Sequence, residues 1–132
     1  MIQSGIINPH LLELVARIRH TNTILIADWA FPSWPGVETV DLSIIKGIPT
    51  IINVLDALQP NFKVGCIWQA SEFLGVNSAA EILRFDNAFV GFSGAGVRRI
   101  PHADFKSMVP SAIGLIRTGD PTGYGNVILE SV

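Results

Sequence analysis

The chain has 132 residues, 15% of them charged, and a formal net charge of -2 at pH 7. That fits one domain over residues 1–132 with a real core, and it gives no basic surface for nucleic acid or an anionic membrane. Hydrophobic residues make up 48% and mean hydropathy is +0.42, yet no apolar run approaches the roughly 20 residues that cross a bilayer.

Asn8-Pro9 opens the first predicted helix, because Asn can cap and Pro is tolerated at the first helical position. Leu11, Leu14, Val15 and Ile18 then recur at helical spacing, which carries the helix to near His20. Thr23 to Ala27 is a short apolar run rich in isoleucine and reads as a buried strand ending at Asp28. Ala30 to Gly36 holds two prolines and reads as a loop, with Val37 to Leu42 as a short strand after it. Ile48 to Leu58 reads as a helix with Pro49 in its first turn. Phe62 to Gln69 reads as a strand, Ser78 to Phe89 as a helix, Val97 to Ile100 as a strand and His102 to Val109 as a helix. Ala112 to Arg117 and Asn126 to Glu130 close the pattern as strands around the turn residues Gly119 to Gly123. This alternation predicts an α/β fold, a mostly parallel sheet with helices on both faces.

In such sheets ligands sit beyond the carboxyl ends of the strands, which marks Asp28. His20 suits proton exchange near neutrality. The lone Tyr124, with Asn126 two residues later, and His102 complete the set of candidate polar groups. Each has a structural reading as well. A histidine favours a helix end, Asp and Asn favour turns, and a tyrosine ring can anchor a subunit contact. No metal cluster, phosphate-cradling glycine motif or nucleophile elbow occurs, so no metal and no cofactor is expected. Arg98-Arg99 is a candidate phosphate clamp, although adjacent strand residues face opposite ways. The single Cys66 cannot form an internal disulfide and reads as a small buried hydrophobe. With no signal-peptide pattern at the N-terminus, the cytoplasm is the expected compartment. The apolar excess predicts subunit interfaces, hence a homo-oligomer.

His20-Thr21-Asn22-Thr23 running through a strand to Asp28 resembles the H-T-D-T stretch of the D-ribose pyranase / L-fucose mutarotase family. Gly47-Ile48-Pro49, His102-Ala103-Asp104-Phe105-Lys106, Ile116-Arg117-Thr118-Gly119-Asp120 and Tyr124-Gly125-Asn126-Val127-Ile128-Leu129 are similar to further family segments, in the same order. The resemblance implies cofactor-independent interconversion of cyclic forms of a free monosaccharide, D-ribose first and L-fucose second. It implies His20 as catalytic acid/base and Asp28, His102, Tyr124 and Asn126 as sugar-binding groups, with Asp28 also placed to orient His20. It further implies pentameric rings or decamers with sites between adjacent subunits. Two departures bear on the site: Arg19 stands where the family usually has glycine, and Trp29, Phe31 and Trp34 make the following loop aromatic. A non-catalytic sugar-binding or transport-accessory protein on the same scaffold is the alternative, with Arg19 spoiling proton transfer.

Overall fold

A computed structural model describes all residues from Met1 to Val132. One six-stranded sheet runs β2-β5-β1-β6-β3-β4. Its strands are β1 Thr23–Ala27, β2 Glu38–Asp41, β3 Val64–Ala70, β4 Gly96–Ile100, β5 Gly114–Arg117 and β6 Val127–Ser131. Pairings β1/β5, β2/β5 and β3/β4 are parallel, whereas β6 runs antiparallel to both β1 and β3. The sheet is thus mostly parallel, and its antiparallel strand lies inside it. The five helices are α1 Pro9–Arg17, α2 Ile51–Leu58, α3 Phe73–Val76, α4 Ala79–Val90 and α5 His102–Met108.

Side-chain alternation assigns the two faces. Ile24 and Ile26 of β1, Ile116 of β5, and Val127 and Leu129 of β6 pack against Leu11 and Leu14 of α1, Leu55 of α2 and Phe85 of α4. Leu25 and Ala27, Leu115 and Ile128 point the other way, onto Phe105 of α5 and Phe31 and Val37 of the loop after β1. Burial on both faces is why β1 is a continuous apolar run and not an alternating one.

Several boundaries depart from expectation. α1 stops at Arg17 because Ile18 is extended, φ −67° and ψ 134°, which tucks its side chain into the core. Arg19 then donates to the carbonyls of Ala16 and Ile18, at 2.7 and 2.9 Å, satisfying acceptors at the helix end. Pro49 lies outside α2: it follows a cis peptide bond, and Thr50 caps the helix through a reciprocal box with Asn53. The short α3 falls in a stretch not assigned to any element from the sequence. Cys66 is half-buried, and burial pushes its thiol up, as suits an unreactive side chain. The pair Arg98-Arg99 does not form a clamp. Arg98 lies over the Trp68 ring at 5.2 Å, while Arg99 turns to Asp86 of α4 at 2.6 Å.

Candidate sugar site at the carboxyl edge of the sheet

Asp28 follows β1 and Asn126 precedes β6, so the antiparallel pairing of these strands brings them together at one edge. The Asp28 N–H donates to Asn126 Oδ1 at 2.7 Å, and Asn126 Nδ2 donates back to Asp28 Oδ2 at 3.0 Å. Asp28 Oδ1 also accepts from the Ala30 N–H at 2.9 Å, which turns the chain away from the strand. Each carboxylate oxygen keeps lone pairs beyond these bonds, and one Asn126 N–H is left over. A buried amide at 4% exposure and a half-buried carboxylate therefore present a fixed acceptor and donor side by side.

Tyr124 lines the same cavity as this pair, with φ at 56°, one of only two non-glycine residues with positive φ. Its ring meets the His102 ring edge-on, with centroids 5.0 Å apart and planes at 87°. His102 opens α5 and stacks along Phe105 at 6.3 Å. Its N–H donates to both carboxylate oxygens of Glu72, at 3.1 and 3.0 Å, and its buried Nδ1 has no partner in the chain.

The His102 N–H holds the Glu72 carboxyl below its usual 4.5, helped by the nearby imidazole. A carboxyl lowered by folding contributes stability at pH values above its unfolded pKa, and the contribution is lost as pH falls through the folded value. The Glu72 side-chain carboxyl carbon shift should thus titrate with its midpoint below 4.5. A midpoint above 4.5 in an NMR titration would contradict the contact.

Asp28, Phe31, Pro32, His102, Tyr124 and Asn126 line one cavity of about 210 Å³, together with Ala30 and Lys106. That is below the roughly 300 Å³ at which pockets for drug-sized ligands begin, and suits a molecule as small as one sugar ring. A larger cavity of about 530 Å³ lies between Gln59–Val64 and Gly91–Ser93, and it contains no carboxylate, histidine or tyrosine.

Four of the five residues singled out in the sequence thus share one cavity. His20 does not: it lies exposed before β1, at the opposite end of the strand from Asp28. The five residues of β1 alone separate them by roughly 16 Å, at about 3.3 Å per residue. Asp28 therefore cannot orient the His20 of its own chain. Lys106 is the lining group that sequence reasoning passed over. It stands one helical turn after His102, on the same face of α5, and that spacing was its available signal. Among the loop aromatics only Phe31 lines the cavity; Trp34 packs on Phe31 at 6.2 Å and Trp29 lies under the Lys46 ammonium at 5.3 Å.

This fold and cavity define an α/β protein with a polar monosaccharide-sized site at the carboxyl edge of its sheet. The chain belongs to the RbsD / FucU transport protein family, whose model matches residues 1–132. It is 37% identical over 131 residues to a D-ribose pyranase of Geobacillus kaustophilus, covering 99% of this chain and 93% of that one. It is 39% identical over 133 residues to a D-ribose pyranase of Kosmotoga olearia, covering 99% and 97%. Bacillus subtilis RbsD, solved in complex with D-ribose, superposes with a TM-score of 0.87 at 31% identity, covering 99% of this chain and 97% of that one. Fucose mutarotase of Streptococcus pneumoniae, solved with L-fucose, shares the fold, with a TM-score of 0.75 at 19% identity, covering 94% and 91%. No helix is long and apolar enough to cross a membrane.

Proposed function

We propose that this protein is an isomerase that interconverts cyclic forms of a free monosaccharide, D-ribose first and L-fucose second, in the cytoplasm. The observation that carries this reading is the single cavity joining Asp28, Asn126, Tyr124 and His102, in a chain that superposes on a ribose-bound relative. Asp28 accepts hydroxyl protons, Asn126 and Lys106 donate, and Tyr124 and His102 hold the opposite side of the ring. The acid/base is His20 of an adjacent copy, in a pentameric ring or a decamer of two such rings.

The chemistry is two proton transfers. The anomeric hydroxyl loses its proton, the carbonyl forms, the bond from the anomeric carbon to the ring oxygen breaks, and that oxygen takes up a proton. Reclosure through another hydroxyl or onto the other face of the carbonyl gives the new form. General acid–base groups supply about 10²- to 10⁴-fold, enough for a reaction that already proceeds unaided in water. Arg19 need not interfere, because its guanidinium is held by the Ala16 and Ile18 carbonyls.

Saturation-difference NMR on the anomeric protons of D-ribose and L-fucose tests the reading. Exchange should be faster with protein for at least one sugar. Calorimetric binding without faster exchange would make the protein a non-catalytic sugar reader instead. Asp28→Asn removes the charge and places an N–H against the Ala30 or the Asn126 donor. Hydrogen bonds to charged groups are worth about 1.5–3 kcal/mol, so sugar affinity should fall at least about tenfold. Unchanged affinity in calorimetry would remove Asp28 from the site.

A further inference from the structure

The cavity is lined by the loop after β1, the segment before β6 and the start of α5. Beyond the direct Asp28–Asn126 pair, one buried residue outside the cavity bonds to both the loop and the segment. Asp120 is 3% exposed. Its Oδ1 accepts from the Thr122 N–H at 2.9 Å, which shapes the turn leading to Tyr124. Its Oδ2 accepts from the Ile51 N–H at 2.9 Å, at the first residue of α2. Its carbonyl accepts from the Trp29 N–H at 3.0 Å, and its own N–H donates to Thr118 Oγ1 at 3.1 Å. The Thr118 hydroxyl in turn donates to the Ala27 carbonyl at 2.8 Å. Asp28 is therefore bracketed on both sides by groups bonded through Asp120, and the Tyr124 turn hangs from the same carboxylate.

We propose that Asp120 is a positioning residue, one that sets the Asp28 loop and the Tyr124–Asn126 segment at the spacing that receives the sugar. It touches no sugar itself, since it does not line the cavity. The inference rests on the sugar-site reading above. His20 is outside this network, so disturbing Asp120 weakens sugar capture more than it weakens proton transfer.

The alternative role is plain helix capping, and α2 supplies the control. Thr50 caps the same helix through its own side chain and contacts neither loop of the cavity through it. Asp120→Asn keeps the shape and places an N–H against a backbone donor. It should raise the sugar concentration for half-maximal exchange about tenfold, with a smaller change in the limiting rate. Hydrogen–deuterium exchange should quicken most at residues 122–126, which bond the carboxylate directly, and less at 27–31, which follow the shift of the Asp120 backbone. Thr50→Ala should lower the melting temperature and leave both readouts as in the unaltered protein. Thr118→Val keeps the carboxylate and the cap but removes the hydroxyl between Ala27 and Asp120. It should reproduce the loosening, and it carries the test if Asp120→Asn does not fold. The inference is overturned if the Asp120 and Thr118 variants behave like Thr50→Ala in both readouts. If the unaltered protein exchanges neither D-ribose nor L-fucose, the sugar reading fails by itself; amide exchange still decides whether Asp120 joins the two loops.

Discussion

His20→Ala should return the exchange of sugar ring forms to its rate in buffer, with assembly and melting temperature unchanged. His20 is exposed and lies in the turn between α1 and β1, so truncating it opens no cavity in the core and strands no buried partner. The expected loss is the whole acid–base contribution, about 10²- to 10⁴-fold. A mixing experiment adds the geometry. His20→Ala and Asp28→Asn chains, each deficient alone, should regain activity when unfolded and refolded together. In the proposed shared site the histidine comes from one chain and the carboxylate from the next, so at equal mixing about one quarter of the sites would have both native halves. Mixed assemblies seen by native mass spectrometry but with no regained exchange would refute the shared site.

Gly119→Ala should be the most damaging single methyl group in the protein. A Cβ there would lie 2.6 Å from the Ile48 carbonyl oxygen and 2.8 Å from the Ile48 nitrogen, and closer still to the Ile45 carbonyl oxygen. All three are backbone atoms, so no side chain can swing aside. The same glycine donates to Pro49 O at 2.8 Å and accepts from Gly47 N at 2.5 Å, which pins the 44–49 turn beside the site loop. Overpacking of this kind costs about 1–3 kcal/mol and sometimes more, and here the displaced segment includes Asp120 and its neighbours. Urea unfolding should show the loss, and calorimetry should show weakened sugar binding. Gly123→Ala is the control: its Cβ would meet Val76 at 3.7 Å, an ordinary contact. Equal effects from the two substitutions would discount the backbone clash.

Much of the fold is legible in the sequence where one physical signal acts alone. The Thr23–Ala27 run has no competing helical period and no turn residue, and the strand matches it at both ends. Asn8-Pro9 marks the α1 start because cap and ring geometry both act locally: Asn8 accepts from the Leu11 N–H at 2.9 Å. The failures come from tertiary contacts overriding local pattern. Pro49 fits a first helical turn, but the chain at Ile44–Ile48 closes on itself and the cap passes to Thr50. α3, at four residues, is shorter than any periodicity can reveal. The direction of β6 was not legible, since a buried strand has the same composition either way.

The site divides along the same line. Asp28, Tyr124 and Asn126 carry chemistry at strand ends, which order along the chain locates, and the β1/β6 pairing brings them together. The nearness of His20 to Asp28 in sequence misleads, because an extended strand is the longest path a few residues can make. Lys106 belongs to the family-like His102–Lys106 segment but was assigned no role there, and Glu72 escaped notice because it acts only through its bond to the first amide of α5. Thr21, beside His20, is the other non-glycine residue with positive φ, at 65°. Left-handed backbone thus occurs next to both halves of the proposed site.

The placement of those halves at the two ends of β1 has a consequence for the newly made molecule. In the proposed shared arrangement, a chain released alone from synthesis would carry half of each of two different sites and neither complete. Output per chain then depends on how many neighbours it has found. At scarce supply the total rate should then climb more steeply than in proportion to protein amount, and become proportional only once every chain is enclosed.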